Sequence, residues 1–271
     1  MKSLNGSDLA GFIKERQAKQ VRNLRQASGV FPRLAIVQTV DDPVIDTYVR
    51  LKQRYGDDIL IDVAVHRIEQ AQLLQAMQQL NADDTVHGII VQLPLADPSQ
   101  TDEALQAVAP AKDVDGLGSG SLYIPATPMA IDWLLVGYGV ELSAKKIAIV
   151  GYGRLVGAPL AQLWREQGRD VTVIDRDTKL SPQEFREFDV VVTAVGQPGL
   201  ISSDDLQIGA VVVDAATSSE NGKLVGDLAA DVRERDDLTI TPERGGVGPL
   251  TVAALFDNVI TAARRIADTQ A

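Results

Sequence analysis

Short apolar runs alternate with stretches of helical periodicity along this chain, and the alternation pauses and restarts at residue 146. Strands alternating with helices predict parallel sheets joined by right-handed crossovers. An opening helix is expected over 7–28, with Ser7 or Asp8 as cap and Leu9, Phe12, Ile13, Val21 and Leu24 among its apolar positions. Strand 33–38 follows, then a turn at Asp41-Asp-Pro43, a helix through Tyr48 and Lys52, and strand 59–65. Leu73, Leu74, Met77 and Leu80 give the stretch from Glu69 to Leu80 a helical spacing, and strand 88–93 ends at Pro94. Residues 110–120 read as a loop and 128–139 as a linking helix. The second series has strand 146–150, helix 156–167, and strands 170–174, 190–195, 210–214 and 238–241. A final helix over 251–268 is expected to pack back on the first series.

The chain has 271 residues, 45% hydrophobic and 23% charged, which suits two globular domains that each bury a core. A net charge of -11 argues against nucleic acid or an anionic membrane as the main partner, so an anionic substrate would need a local basic pocket. With no cysteine, a thiolate nucleophile, a disulfide framework and a Cys-ligated metal are excluded. Two histidines, His66 and His87, are too few for a His-based metal cluster and read as strand or turn residues. We expect neither a signal peptide nor a membrane span, because the first residues mix charged with small types and no long apolar run occurs. A reducing cytoplasm fits this composition.

After the apolar run at 146–150 come Gly151-Tyr-Gly153 and, four residues on, Gly157. Glycines between a strand and a helix let the backbone turn tightly and approach a pyrophosphate, whose charge the helix N-terminus favours. A glycine turn alone is a weak signal, but Asp175 ends the next strand, 24 residues past Gly151. An acid there can accept hydrogen bonds from both ribose hydroxyls of NAD. It would also repel a 2′-phosphate, since two unit charges about 4 Å apart interact by roughly 4 kcal/mol at an effective dielectric near 20. Arg154 and Arg176 are the counterweight, because either can bind a phosphate. The expected cofactor is therefore NAD, with NADP possible. Its expected contacts are Gly151, Tyr152, Gly153, Arg154, Leu155, Val156, Asp175, Arg176, Gly196 and Thr217.

The fold class that follows is α/β: two αβα domains with parallel sheets, the second a Rossmann-type dinucleotide-binding domain, with a cleft between them. The expected boundaries are 1–125 plus 251–271 for the first domain and 126–250 for the second.

Tyr48 and Lys52 lie four apart on the expected helix, so phenol and amine share a face. A lone helical lysine is most often a solvated charge; its company gives this one weight. Gln92 ends an apolar strand, where α/β sheets open their clefts. Asp113 and Asp115 occupy a glycine-flanked loop, and Gly245-Gly-Val-Gly-Pro249 is expected to lay bare backbone against a ligand.

These runs resemble the bifunctional methylenetetrahydrofolate dehydrogenase/cyclohydrolase family over nearly the whole chain. The resemblance rests on Tyr48-Val-Arg-Leu-Lys52, Gly88-Ile-Ile-Val-Gln-Leu-Pro-Leu95, Lys112-Asp-Val-Asp-Gly116, Pro125-Ala-Thr-Pro128 and Gly245-Gly-Val-Gly-Pro-Leu-Thr251. It implies a catalytic set of Lys52, Tyr48, Gln92 and Asp115, and a folate pocket of Tyr48, Asp115, Leu93, Gly246 and Pro249. It further implies tetrahydrofolate derivatives as substrates, no metal, and a homodimer. In the chemistry it implies, hydride leaves the methylene carbon bridging N5 and N10 for the nicotinamide. Water then attacks the methenyl cation, and ring opening gives 10-formyltetrahydrofolate. Lys52 would manage protons in that hydrolysis, which needs a neutral amine. Burial favours that form, and Gln92 can bond the amine without adding charge.

The chain departs from the family at several places. Tyr152 and Gly153 stand where Arg and Ser are usual in the cofactor loop, and Asp175 where His is usual. Those family residues commonly serve a 2′-phosphate, so their replacement agrees with NAD. Ile45 replaces a common Ser, Ala126 a Cys, and Glu243-Arg244 a Val-Pro. Two other readings stay open here. One is a dehydrogenase of similar build for another substrate, amino-acid or shikimate-type, which the Gln92 and Lys112 runs disfavour. The other is a non-catalytic nucleotide-binding homologue, which intact Tyr48, Lys52, Gln92 and Asp115 disfavour.

Overall fold

The computed structural model of this chain describes residues 1–178, 181–216, 218–220 and 223–270, and the following statements concern those residues. In chain order the elements are β1 (Lys2–Ser3), α1 (Gly6–Ala27), β2 (Arg33–Gln38), α2 (Pro43–Ile59), β3 (Asp62–Arg67), α3 (Leu73–Ala82) and β4 (Gly88–Val91). Then come α4 (Thr101–Gln106), α5 (Ala126–Gly137), β5 (Ile147–Val150), α6 (Gly157–Glu166), β6 (Val171–Ile174), α7 (Pro182–Phe185) and β7 (Val190–Thr193). The last are β8 (Val211–Asp214), β9 (Ser218–Glu220), β10 (Lys223–Val225), β11 (Thr239–Ile240) and α8 (Val247–Gln270). The chain divides into two compact units, Gly11–Ala126 with Val252–Ala271, and Met1–Ala10 with Thr127–Thr251.

The unit holding Gly11–Ala126 is built on a parallel sheet of order β3-β2-β4. Leu34, Ala35, Ile36 and Val37 of β2 are fully buried, as a central strand covered on both faces requires. On one face Ala35, Val37, Ile89 and Val91 pack with Leu73, Met77 and Leu80 of α3 and Ala104 and Leu105 of α4. Each such leucine contributes about 1.5–3 kcal/mol on burial. Beyond β4 the chain returns alongside it, Ile89 N–H donating to the Lys112 carbonyl at 2.7 Å. Because both neighbours of β2 come later in the chain, the strand order reverses at β2, and the carboxyl ends of β2 and β4 form a switch point.

Helix α2 starts where a turn is expected: the Asp42 carboxylate accepts from Val44 N–H at 2.8 Å and Ile45 N–H at 3.1 Å, with Pro43 at the first helical position. The helix then runs to Ile59, and Leu60 closes it in the left-handed region at φ 66°. The strand expected at 59–65 accordingly begins only at Asp62. Ile59 is buried as the last member of the helix face formed with Ile45, Val49 and Gly56, so its apolarity belongs to the helix period.

In the other unit the sheet order is β1-β11-β8-β7-β5-β6, with all neighbours parallel. Here the order reverses at β5, which pairs with β6 on one side and β7 on the other. This is the Rossmann-type arrangement. Ala148, Val150, Val191, Val212 and Ile240 form the core with Phe188, Ile201 and Leu206. Residues 1–10 group with this unit because β1 pairs with β11, Lys2 N–H donating to the Leu238 carbonyl at 2.9 Å and Leu4 N–H to Ile240 at 2.8 Å. Among the described residues, no helix is long and apolar enough to cross a membrane.

Candidate active site

Lys52 sits midway along α2, four residues after Tyr48, and its amine donates to the Gln92 side-chain carbonyl at 2.7 Å. Gln92 follows β4 directly. Its backbone N–H donates to the Val37 carbonyl at 2.8 Å, which pins it to the end of β2, and its side-chain amide donates to Leu93 O at 3.0 Å. The glutamine oxygen is thus aimed by two further bonds. Burial holds the Lys52 pKa below the ordinary lysine value of 10.5, and the nearby Asp115 carboxylate offsets part of that effect. Burial likewise pushes Asp115 above the ordinary carboxyl range, with Lys52 opposing and Asp113 reinforcing the shift. For both members of the pair, desolvation outweighs mutual attraction. Tyr48 is 38% exposed on the same helix face, and the hydrogen bond described for the amine goes to Gln92 rather than to the phenol. Leu93 turns the chain through a cis bond to Pro94 and packs on the core beneath β4.

The neighbouring acids of the 112–116 run do different jobs. Asp113 is buried, and its carboxylate accepts from Gly118 N–H at 2.8 Å and Gly116 N–H at 3.2 Å, so it shapes its own loop. Lys112 donates to the carbonyls of Leu80, Asn81 and Asp83 at 3.1, 2.8 and 2.7 Å, capping the C-terminus of α3. Asn258 of α8 donates to the carbonyls of Val114 and Ile124 at 2.8 and 2.9 Å, fixing the loop that carries Asp115 from its other side. His87 is buried and accepts from Arg33 N–H at 3.2 Å, a structural role.

The glycine turn after β5 is a steric necessity. Gly151 has φ 97°, and a Cβ there would stand 2.9 Å from the Ala194 carbonyl. A Cβ on Gly157 would strike the Gly151 carbonyl, so the start of α6 packs directly on the turn. A Cβ on Gly153 would meet nothing within 4 Å, which leaves open backbone beside a helix whose N-cap, Val156, offers no side-chain bond to the first amides. Ala158 N–H is met by the Gly153 carbonyl at 3.1 Å, and the open backbone of the turn at the start of α6 fits a dinucleotide pyrophosphate. Tyr152, Arg154 and Leu155 lie exposed on this turn, and Arg154 has an interaction of its own. Asp175, exposed after β6, accepts through Oδ1 from the Thr178 hydroxyl at 2.7 Å and Asp177 N–H at 3.0 Å, and the Thr178 bond holds its pKa below the usual range. Arg176 is exposed beside it. Gly196 follows β7 at φ 83°, and Thr217 lies outside the described residues.

The final helix begins earlier than the expected residue 251. Helix α8 starts at Val247, with Pro249 in its first turn, and Gly245 O accepts from Ser7 N–H at 3.0 Å. A Cβ on Gly6 would strike the Gly246 carbonyl, and one on Gly245 would stand 2.6 Å from the Ser7 hydroxyl, so this turn packs closely on the start of α1. Unread from sequence were Asp227 and Thr193. The fully buried Asp227 carboxylate accepts from the Thr193 hydroxyl and from the N–H groups of Val195, Gly196 and Gln197. An acid after a glycine in a loop carries no sequence signal for partners some thirty residues away.

A Rossmann-type unit with an open glycine turn, in one chain with a sheet unit that holds a buried lysine at its switch point, defines a two-unit α/β dehydrogenase class. The comparisons narrow it. The profile described as tetrahydrofolate dehydrogenase/cyclohydrolase, catalytic domain, matches residues 4–115, and that of the family's NAD(P)-binding domain matches 125–267. The chain is 36% identical to the bifunctional protein FolD of Macrococcus caseolyticus over 97% of this chain and 98% of the relative. The crystal structure of the FolD methylenetetrahydrofolate dehydrogenase/cyclohydrolase from Campylobacter jejuni superposes with a TM-score of 0.93 at 33% identity, covering 98% and 99% of the two chains. The Trypanosoma brucei enzyme, complexed with NADP and an inhibitor, gives 0.90 at 30% identity over 99% and 98%. The chain belongs to the tetrahydrofolate dehydrogenase/cyclohydrolase family, a family of bifunctional enzymes.

Proposed function

We propose that this protein oxidises 5,10-methylenetetrahydrofolate with NAD in preference to NADP, and that Lys52 manages the protons that convert the methenyl product to 10-formyltetrahydrofolate. The observation that carries the reading is the Lys52 amine, held below its ordinary pKa by burial and aligned at 2.7 Å by Gln92. A neutral amine can take a proton from water as its oxygen bonds to the methenyl carbon. As the carbinol so formed collapses, its hydroxyl proton leaves to solvent, the formyl C=O forms on N10, the bond from that carbon to N5 breaks, and the Lys52 ammonium returns the first proton to N5. While charged, it is stabilised by the Gln92 oxygen and by Asp115. The buried Asp115 carboxylate is suited to accept from the donor edge of a pterin, which would repay its desolvation. Tyr48, exposed on the same face, offers an aromatic wall for the folate.

When bound, the nicotinamide dinucleotide supplies the hydride acceptor. The protein's part is to cradle it, through the turn at Gly151, Gly153 and Gly157 and the first amides of α6. Asp175, kept ionised by its hydrogen bonds, supports NAD, because a carboxylate pairs with ribose hydroxyls and repels a 2′-phosphate. Arg154 and Arg176 leave NADP as the slower alternative. Initial rates of nicotinamide reduction on 5,10-methylenetetrahydrofolate test this directly: NAD should outpace NADP, and Asp175→Ser should raise NADP use. Unchanged selectivity in the variant would mean that the acid does not face the ribose.

A further inference from the structure

The turn after β7 is held from beneath by a single carboxylate. Asp227 is fully buried, and four donors converge on it: the Thr193 hydroxyl and Val195 N–H on Oδ2, and Gly196 and Gln197 N–H on Oδ1, the three amides at 2.8, 2.8 and 2.7 Å. A buried carboxylate is tolerated only when so satisfied. Its own backbone is tied on both sides. Asp227 N–H donates to the Asp214 carboxylate at 3.2 Å and its carbonyl accepts from Ile201 N–H at 3.2 Å, while a Cβ on Gly226 would strike Asp214. The clamped turn in turn meets the glycine cradle, since a Cβ on Gly151 would lie 2.9 Å from Ala194 O and 3.0 Å from Val195 Cγ2. Both turns follow the carboxyl ends of β5 and β7, where the strand order reverses.

We propose that Asp227 is a positioning residue for the dinucleotide: through Thr193 and the 195–197 amides it fixes the turn that forms one wall of the cradle at the β5–β7 switch point. Drawing those amides inward leaves Val195, 46% exposed, as the outward face of the turn. Asparagine has the same shape but one neutral accepting oxygen: with that oxygen on Gly196 and Gln197, its NH2 opposes Val195 N–H while the Thr193 hydroxyl can turn to accept, so Asp227→Asn should release Val195 and weaken the remaining bonds. The inference rests on the reading that this unit binds a nicotinamide dinucleotide.

Strand β7 supplies an internal control. At its amino end Asp189 accepts from Lys146 N–H at 2.9 Å, so Asp189→Asn also removes a carboxylate anchor from this strand, but at the end away from the switch point. The test titrates the full chain and its variants with NADH and with NADPH by fluorescence and follows methenyl hydrolysis alongside. For Asp227→Asn the dinucleotide Kd and the KM for the oxidised form should rise about tenfold or more, with methenyl hydrolysis within about twofold of wild type. Asp189→Asn should leave the dinucleotide Kd within about twofold, and Thr193→Val, which removes one donor of the four, should raise it by about two- to fivefold. Unchanged affinity in Asp227→Asn, or an equal loss in Asp189→Asn, would overturn the positioning role while leaving the cofactor reading intact. Should Asp227→Asn fail to fold, Thr193→Val decides: a raised Kd supports the inference and an unchanged one removes it. A wild-type protein that binds neither dinucleotide would overturn the cofactor reading and this inference with it.

Discussion

At the scale of single residues, two opposed influences set the state of Lys52. Desolvation lowers its pKa and the Asp115 carboxylate raises it, with desolvation the larger. If the neutral amine is the base, methenyl hydrolysis rises with pH and levels off above the Lys52 pKa, which lies below 10.5. Replacing Asp115 by Asn removes the attraction that favours the ammonium, so the Lys52 pKa should fall further and the rising limb should move to lower pH. The profile is best read as kcat at saturating folate, because Asp115 also serves the substrate in this account. A limb that stays in place or moves upward would show that Lys52 is not the titrating base.

Among elements, the end of α2 is the informative case. Leu60 occupies the left-handed region at φ 66° while 44% exposed, a conformation that costs a branched side chain about 1–2 kcal/mol and glycine almost nothing. Allowing for the greater freedom of glycine in the unfolded chain, Leu60→Gly should stabilise the protein by about 0.5–1 kcal/mol, read as a higher urea midpoint. A lower midpoint would mean that the leucine side chain contributes more than its backbone costs. The same position explains why a strand looked plausible over 59–65. Ile59, Leu60 and Ile61 are contiguous and apolar, but Ile59 is buried by the helix and Ile61 by the turn, and only the dihedral angles of Leu60 separate the two. Helix α4 went unread for the opposite reason, since its buried pair, Ala104 and Leu105, is adjacent and shows no helical period. The glycine turn at 151–157 was legible because it joins a strand to a helix and Gly157 must clear Gly151 itself, although Gly151 answers to Ala194 far along the chain. The Asp227 clamp was not, because it joins segments some thirty residues apart. Gly245 answers a second demand that its own run does not record: at φ 80° a Cβ there would also stand 2.6 Å from the Ser7 hydroxyl.

Across the whole molecule, the two units repeat one device. In each, the first strand of the crossover series lies between two later ones, β2 between β3 and β4 and β5 between β6 and β7. The residues with chemistry then gather at the carboxyl ends, Lys52 with Gln92 in one unit and Gly151 with the Asp227-held turn in the other. Alternation of apolar and helical segments made the parallel sheets legible, but strand order is a property of pairing that no single segment records. The most direct measurement is methenyl hydrolysis by Lys52→Ala during turnover of 5,10-methylenetetrahydrofolate. Hydrolysis should fall by about 100-fold or more while nicotinamide reduction continues and the methenyl compound accumulates. Hydrolysis at the wild-type rate in that variant would contradict the account.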